Sequence, residues 1–183
     1  MKRVIGILAI VVLVALPAAA QKVSVDWDRD ADLEKYATFA WVDGPPTPLE
    51  GNYPMVHSLI KNSIEYWMTS GGMVEDTENP DINVTYHTGG KESYQFMTTA
   101  YGYTYPVGWG YMGGSYTAST MVTTYDEGTL VIDMWDATTK KAVFRGIASK
   151  TIPQDPNKAL KQIDGMIEKI ALKFRKMRAK EEK

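Results

Sequence analysis

The architecture of this chain is set by residues 128–149, which read GTLVIDMWDATTKKAVFRGIAS. Leu130, Ile132 and Met134 recur at every second position, and this period predicts a strand with one apolar face. The apolar pattern resumes at Val143 after a polar stretch, 136–140, whose residues favour a turn. Because the connection is short, we predict that the two strands pair antiparallel.

The segment that follows predicts an amphipathic helix. Asp155 is suited to cap its first turn, and Pro156 is suited to the first helical position, where the missing N–H costs nothing. Apolar residues then recur at spacings of three and four, at Leu160, Ile163, Ile167, Ile170, Phe174 and Met177. A helix with such a stripe must bury it against another element.

Upstream, the same spacing predicts a second helix from Asn52 to the stop at Gly71-Gly72, with its stripe at Val56, Leu59, Ile60, Ile64, Trp67 and Met68. Alternating or β-branched patterns predict further strands at 23–27, 38–42, 81–88, 92–99 and 119–125. Gly89-Gly90 predicts a hairpin between 81–88 and 92–99. The sequence therefore predicts a single α+β domain over residues 21–183, an antiparallel sheet with two amphipathic helices packed on one face.

Residues 1–20 have the pattern of a signal peptide. A positive head, Met1 to Arg3, precedes an apolar run, Val4 to Leu16, and small residues follow up to Ala20. A thirteen-residue helix would be about 20 Å long, too short for a hydrocarbon core of about 30 Å. We therefore expect cleavage after about Ala20 and a periplasmic product. Loss of Lys2 and Arg3 changes the net charge from −2 to −4, which disfavours nucleic acid as a partner.

The chain contains no cysteine, so it has no thiol nucleophile, no disulfide and no residue to carry the lipid of a lipoprotein. His57 and His87 fall on different predicted elements, and we predict neither a metal nor a cofactor. Alternate aspartates at 26–32 resemble a calcium loop, but Ala31 stands where that loop needs glycine and Ala37 where it needs glutamate. We interpret these acids as solvated residues of strand ends and turns.

The most unusual segment is rich in tyrosine and glycine and runs from Tyr94 to Tyr116. Flat aromatic faces with polar tips are suited to sugar rings, peptides or protein partners. The candidate binding residues are Tyr101, Tyr103, Tyr105, Trp109 and Tyr111. The alternative interpretation is a long hairpin loop whose aromatic side chains pack on the sheet.

The C-terminal end is basic. From Lys173 onward there are six basic and two acidic residues. Such a tail is suited to a peripheral contact with anionic headgroups, or it is the solvated end of a helix, where the dipole favours cations.

The chain contains a set of short motifs: Gly128–Asp133, Asp136-Ala137, Thr139–Lys141, Val143–Gly146, Asp32-Leu33, Lys35-Tyr36, Thr38–Trp41 and Pro80–Val84. Together these motifs resemble the domain-of-unknown-function 4136 family of bacterial envelope proteins. The chain departs from the family in lacking the lipoprotein cysteine, in having Phe144 where tryptophan is usual, and in continuing its last helix into Lys176–Lys183. The resemblance implies export and an α+β fold, and it implies no catalytic residues.

Together these observations favour a non-catalytic binding or interaction module of the cell envelope, with an envelope protein or glycan as its partner. The alternative is a hydrolase that acts on an envelope glycan through carboxylates converging in space.

Overall fold

A computed structural model describes residues 21–42, 52–89, 94–96, 121–123 and 128–181. The strands are β1 (Lys22–Trp27), β2 (Thr38–Trp41), β3 (Val74–Glu75), β4 (Ile82–Gly89), β5 (Tyr94–Phe96), β6 (Met121–Thr123), β7 (Thr129–Asp136) and β8 (Ala142–Ser149). The helices are α1 (Pro54–Thr69) and α2 (Pro156–Glu181), and a 3-10 turn spans Leu33–Lys35. These elements build one α+β domain, as the sequence predicts.

Six of the strands form one sheet in the order β1-β8-β7-β4-β2-β3. The predicted hairpin of β7 and β8 is confirmed: the strands are antiparallel, with Ile132 opposite Gly146. An irregularity between Met134 and Trp135 shifts the register near the turn. The strands β1 and β8, and likewise β4 and β7, are also antiparallel.

The prediction of a purely antiparallel sheet is wrong, because β2 runs parallel to both β3 and β4. The helix α1 lies between β2 and these strands in the chain. Its sixteen residues carry the backbone back to the end of the sheet where β2 began, as in any crossover between parallel strands. The sheet is therefore mixed.

The hairpin predicted at Gly89-Gly90 is also wrong. The strand β4 pairs with β2 and β7, whereas β5 pairs with β6 in a separate two-stranded sheet. A pair of glycines permits a tight turn, but it does not determine which strands pair.

The apolar stripes of both helices pack with one face of the large sheet. The core combines buried side chains from the helices, Ile60, Ile64, Met68, Met166, Ile167 and Ile170, with alternate strand residues such as Val25, Trp27, Phe39, Ile82, Val84, Leu130, Ile132 and Phe144. The helix α2 begins as predicted, because Asp155 Oδ1 accepts a hydrogen bond from the Lys158 N–H at 2.9 Å. This helix approaches β8 closely: a Cβ added to Gly146 would lie 2.3 Å from Ile170 Cγ2.

The other face of the sheet is also buried at its centre. Val131 and Asp133 are 0% exposed, and Trp135, Arg145 and Ile147 are buried as well. Both faces of the middle strands are therefore buried, and the helices pack on one of these two faces.

Candidate functional site

A cavity of about 440 Å³ lies between the two helices and the sheet. This volume is within the range of about 300 to 1,000 Å³ that is usual for small-molecule sites. The inner wall consists of apolar residues from both layers, including Ile64, Trp67 and Met68 of α1, Ile167, Ile170 and Phe174 of α2, and Ile82, Ile132, Met134 and Phe144 of the sheet. The helices and the sheet thus enclose apolar space that they do not fill.

Met134 shows this most directly. It shares the helix-facing side of the central strand β7 with Leu130 and Ile132, which are 2% and 3% exposed. Met134 keeps intermediate exposure and lines the cavity, as do Trp67 and Phe174. An apolar side chain on a central strand gains by complete burial. Its residual exposure therefore marks a space that another molecule can occupy.

Two arginines of α2 form the basic part of the cavity rim. Arg175 and Arg178 are three residues apart and therefore lie on one side of the helix. The Arg175 guanidinium carbon lies 4.9 Å from the centroid of the Trp67 ring. Arg178 Nη2 lies 3.7 Å from Glu34 Oε1, and the Glu34 side chain is 81% exposed. Such an exposed, long pair contributes little to stability, about 0 to 1 kcal/mol.

The cavity lining also includes Leu33 and Tyr36, which flank the Glu34 contact of Arg178 in the chain. The Tyr36 hydroxyl donates to Asp136 Oδ2 at 2.9 Å, and Lys35 Nζ lies 3.7 Å from the same oxygen. Burial, the hydrogen bond to Asp136 and the nearby carboxylates all raise the pKa of Tyr36. Tyr36 is therefore a fixed donor that connects the 3-10 turn to the β7–β8 hairpin.

Asp136 is held as a carboxylate. Its Oδ1 accepts from the Thr138 N–H at 3.0 Å and from the Thr139 N–H at 2.7 Å. Burial opposes ionisation, but these bonds and the one from Tyr36 outweigh it and lower the pKa of Asp136. Its oxygens are thus committed to holding the turn, which is a structural role.

A row of polar side chains crosses the other face of the sheet. Thr85, Asp133, Arg145 and Asp26 stand opposite one another on β4, β7, β8 and β1. Arg145 donates through Nε to Asp133 Oδ1 at 2.6 Å and through Nη2 to Oδ2 at 2.9 Å. This buried two-bond pair fixes both side chains and leaves the carboxylate no geometry for acid or base catalysis.

His87 lies on the same face, one pleat away from Thr85 on β4. Burial lowers its pKa to about 4; the negative charge of Asp133 opposes this shift, and the positive charge of Arg145 adds to it. His87 is therefore neutral at neutral pH. The other histidine, His57, lies on the helix side of the sheet with Nδ1 2.7 Å from the Tyr86 hydroxyl.

Two absences hold for the residues that the structure describes. Among them, no three histidine, aspartate or glutamate side chains form a group able to hold a metal ion. No helix within the same ranges has the length and apolar character needed to cross a membrane.

The binding residues predicted from the sequence, Tyr101, Tyr103, Tyr105, Trp109 and Tyr111, lie outside the described residues, as does the predicted signal peptide at 1–20. The cavity was not predicted. By sequence its rim arginines belong to the basic C-terminal end, although Arg175 directly follows Phe174 of the apolar stripe. The position of Arg175 next to a core-facing phenylalanine is the sequence feature that points to a charged group beside the apolar face of the helix.

The fold and the cavity define a small α+β domain whose mixed sheet and two helices enclose an apolar site. The family model of the domain of unknown function DUF4136 matches residues 23–174, and the chain belongs to this family. No curated protein matches its sequence.

Two solved structures have a similar fold. A DUF4136 family protein from Bacteroides thetaiotaomicron has 14% identity and a TM-score of 0.50, and the match covers 86% of this chain and 95% of that one. A PDZ domain protein from Parabacteroides distasonis has 13% identity and a TM-score of 0.50, with 84% of this chain covered. The match spans only 36% of the length of that PDZ domain protein. At these identities the similarity concerns the fold alone.

Proposed function

We propose that this protein is a non-catalytic binding module of the bacterial cell envelope, and that its ligand site is the cavity between the helices and the sheet. The observation that carries the proposal is the partly exposed Met134, which lines the cavity on the helix-facing side of the central strand β7, next to Ile132 at 3% exposure. Burial of the apolar residues around the cavity would stabilise the protein. We therefore expect an apolar ligand that fills the cavity and buries these residues.

The engagement of the buried acids supports a binding role over hydrolysis. Asp133 is held by Arg145, and Asp136 by Tyr36 and two backbone N–H groups. A glycoside hydrolase needs one acid with a raised pKa beside a second, free carboxylate. The pKa of Asp136 is lowered instead, and the same holds for Asp81, whose carboxylate accepts from the Ala37 and Thr38 N–H groups.

The envelope location rests on the signal-peptide pattern of residues 1–20. Expression of the full chain in a Gram-negative bacterium, followed by osmotic release of the periplasm and mass spectrometry, tests it. We expect a released chain that begins at or near Gln21. A chain retained in the cytoplasm with residues 1–20 attached would contradict export.

Binding is tested with N-phenyl-1-naphthylamine, an uncharged apolar dye whose fluorescence rises in dry sites. We expect saturable binding of one dye per chain. Ala171 lines the cavity, so Ala171→Phe fills it and weakens binding at least about tenfold, a loss of about 1.4 kcal/mol. The matched control is Leu172→Phe, which adds a ring at the neighbouring, 47% exposed position.

Because Ala171→Phe can also disturb packing, Ala179→Trp provides a second variant at an exposed position of the rim. It narrows the mouth without entering the core, and we expect weaker dye binding with an unchanged melting temperature. Equal dye affinity in the wild type, Ala171→Phe and Ala179→Trp would rule out this cavity as the site.

A further inference from the structure

We propose that the ligand of the cavity is a single-chain fatty acid, with its hydrocarbon chain in the cavity and its carboxylate at Arg175 and Arg178. This inference rests on the proposed function, because it names the ligand class of the same site. Three observations support it: the interior of the cavity is apolar, its rim is positively charged, and the two arginines line the cavity whereas Lys176 and Lys180 of α2 do not.

The interior is suited to a flexible hydrocarbon chain. Among the described residues, the side chains around it are aliphatic, aromatic or thioether groups, and the charged ones that line the cavity are the two rim arginines. Met68, Met73 and Met134 contribute three of these side chains. Methionine is unbranched and adaptable, so it packs well against a ligand that has no rigid shape. A polar interior would be expected for a sugar or a peptide backbone.

The rim supplies the complementary charge. A guanidinium group binds a carboxylate through two parallel hydrogen bonds, and it does so best where water is partly excluded. Arg178 already faces one carboxylate, that of Glu34, at 3.7 Å. A ligand carboxylate replaces this long contact with a closer one. The carboxylate of Asp136, which Tyr36 contacts, is bound by Tyr36 and the hairpin turn and does not compete for the arginines.

The helix dipole alone does not account for the position of these arginines. The dipole favours cations in the last turn of α2, where both Arg178 and Lys180 lie, whereas Arg175 and Lys176 lie one turn earlier. Those two lysines, however, do not line the cavity, whereas Arg175 and Arg178 do. Among the cations of the last turns, the two arginines are the ones that face the apolar space.

The test compares two ligands that share one chain length. Dodecanoate and 1-dodecanol compete with N-phenyl-1-naphthylamine for the mature protein at pH 7.5, where the fatty acid is ionised. We expect dodecanoate to bind at least about tenfold more tightly than dodecanol. The double variant R175Q/R178Q should lose this preference while it retains dye binding. The control, K176Q/K180Q, removes the same charge from the same helix and should keep the preference.

The outcomes separate the two proposals. If dodecanol binds as tightly as dodecanoate, the cavity is an apolar site without selection for the acid, and this inference fails alone. If neither ligand displaces the dye although Ala171→Phe weakens dye binding, the cavity does not take a fatty acid and this inference fails alone. If Ala171→Phe also leaves dye binding unchanged, the dye lies elsewhere and the proposed function fails with it. If K176Q/K180Q loses the preference as fully as R175Q/R178Q does, general charge attraction explains the data and the arginine site is wrong.

A further variant addresses geometry. Arg178→Lys keeps the charge but removes the planar group that forms two parallel bonds. We expect its preference for dodecanoate to fall between those of the wild type and R175Q/R178Q. A preference equal to the wild type would show that Arg178 does not hold the carboxylate through paired hydrogen bonds.

Discussion

Arg145 and Asp133 stand opposite each other on β8 and β7 and form two hydrogen bonds of 2.6 and 2.9 Å on the buried second face of the sheet. Their side chains are 6% and 0% exposed. Removing two charges from water is costly, and their mutual attraction offsets that cost. Each of the two residues therefore depends on the other.

Asp133→Asn should accordingly destabilise the protein by about 3 to 5 kcal/mol, because it removes the charge of the carboxylate that binds the buried Arg145 through two hydrogen bonds. The free energy of unfolding in urea measures the loss. The matched control is Glu34→Gln, which breaks the exposed pair with Arg178 and should cost less than about 1 kcal/mol. Replacement of both partners, Asp133→Leu with Arg145→Met, should cost less than Asp133→Asn alone. Similar losses for Asp133→Asn and Glu34→Gln would contradict this account.

The burial of this pair is a feature that the alternation of apolar residues in the sequence does not predict. Alternation at Leu130, Ile132 and Met134 correctly predicts the helix-facing side of β7. It also implies a solvated second side, as is common for antiparallel sheets, whereas Val131 and Asp133 are 0% exposed. The unbroken apolar run 130–132 was the signal for a strand with two dry faces.

Long-range geometry accounts for the other differences. The period of 3.6 predicts α1, α2 and most of the side chains that they bury, and the cap at Asp155 follows from local chemistry. Met166, which is 1% exposed, falls outside the predicted stripe of α2, and Leu59 and Leu160 of the predicted stripes keep intermediate exposure. The direction of β2 depends on how α1 crosses the sheet, which no local pattern contains. The cavity depends on the distance between the two helices, so the site at Arg175 and Arg178 required coordinates.

His87 should make stability fall in mild acid. Its pKa is about 4 in the folded protein and about 6.5 in an unfolded chain, so the unfolded state binds the proton more readily. The contribution of the neutral ring is complete above pH 6.5 and is lost as the pH falls towards 4. The free energy of unfolding of the wild type should therefore be lower at pH 4.5 than at pH 7.5, and we expect His87 to account for about 2 kcal/mol of this decrease. This value allows for the part of the His87 side chain that remains exposed to solvent.

The variant His87→Gln isolates this effect, since every other titrating group is common to both proteins. Its decrease in unfolding free energy between pH 7.5 and 4.5 should be smaller than that of the wild type by the same amount. Parallel pH profiles for the two proteins would show that His87 does not contribute.

Tyr36→Phe should destabilise the protein by about 1 kcal/mol, because it removes the hydroxyl that donates to the buried carboxylate of Asp136. Asp136 keeps its bonds from Thr138 and Thr139, so the hairpin should persist. Thermal and urea unfolding measure the change. Tyr66→Phe, at a 63% exposed position of α1, is the control and should alter stability by less than about 0.5 kcal/mol. A Tyr36→Phe protein as stable as Tyr66→Phe would mean that the 3-10 turn is not held by this bond.

Gly146→Ala and Gly165→Ala should change stability in opposite directions, although each adds one methyl group to a glycine. At Gly146 the new carbon would lie 2.3 Å from Ile170 Cγ2 and 3.2 Å from the Phe144 ring, so α2 must move away from β8. Such overpacking typically costs about 1 to 3 kcal/mol. At Gly165, inside α2, the new carbon meets nothing within 4 Å, and the higher helix propensity of alanine should stabilise the protein by about 0.5 to 1 kcal/mol.

Urea unfolding of both variants measures the two changes. If Gly146→Ala were as stable as Gly165→Ala, the helix would not rest directly on the backbone of β8, and the position of α2 that defines the cavity would be wrong.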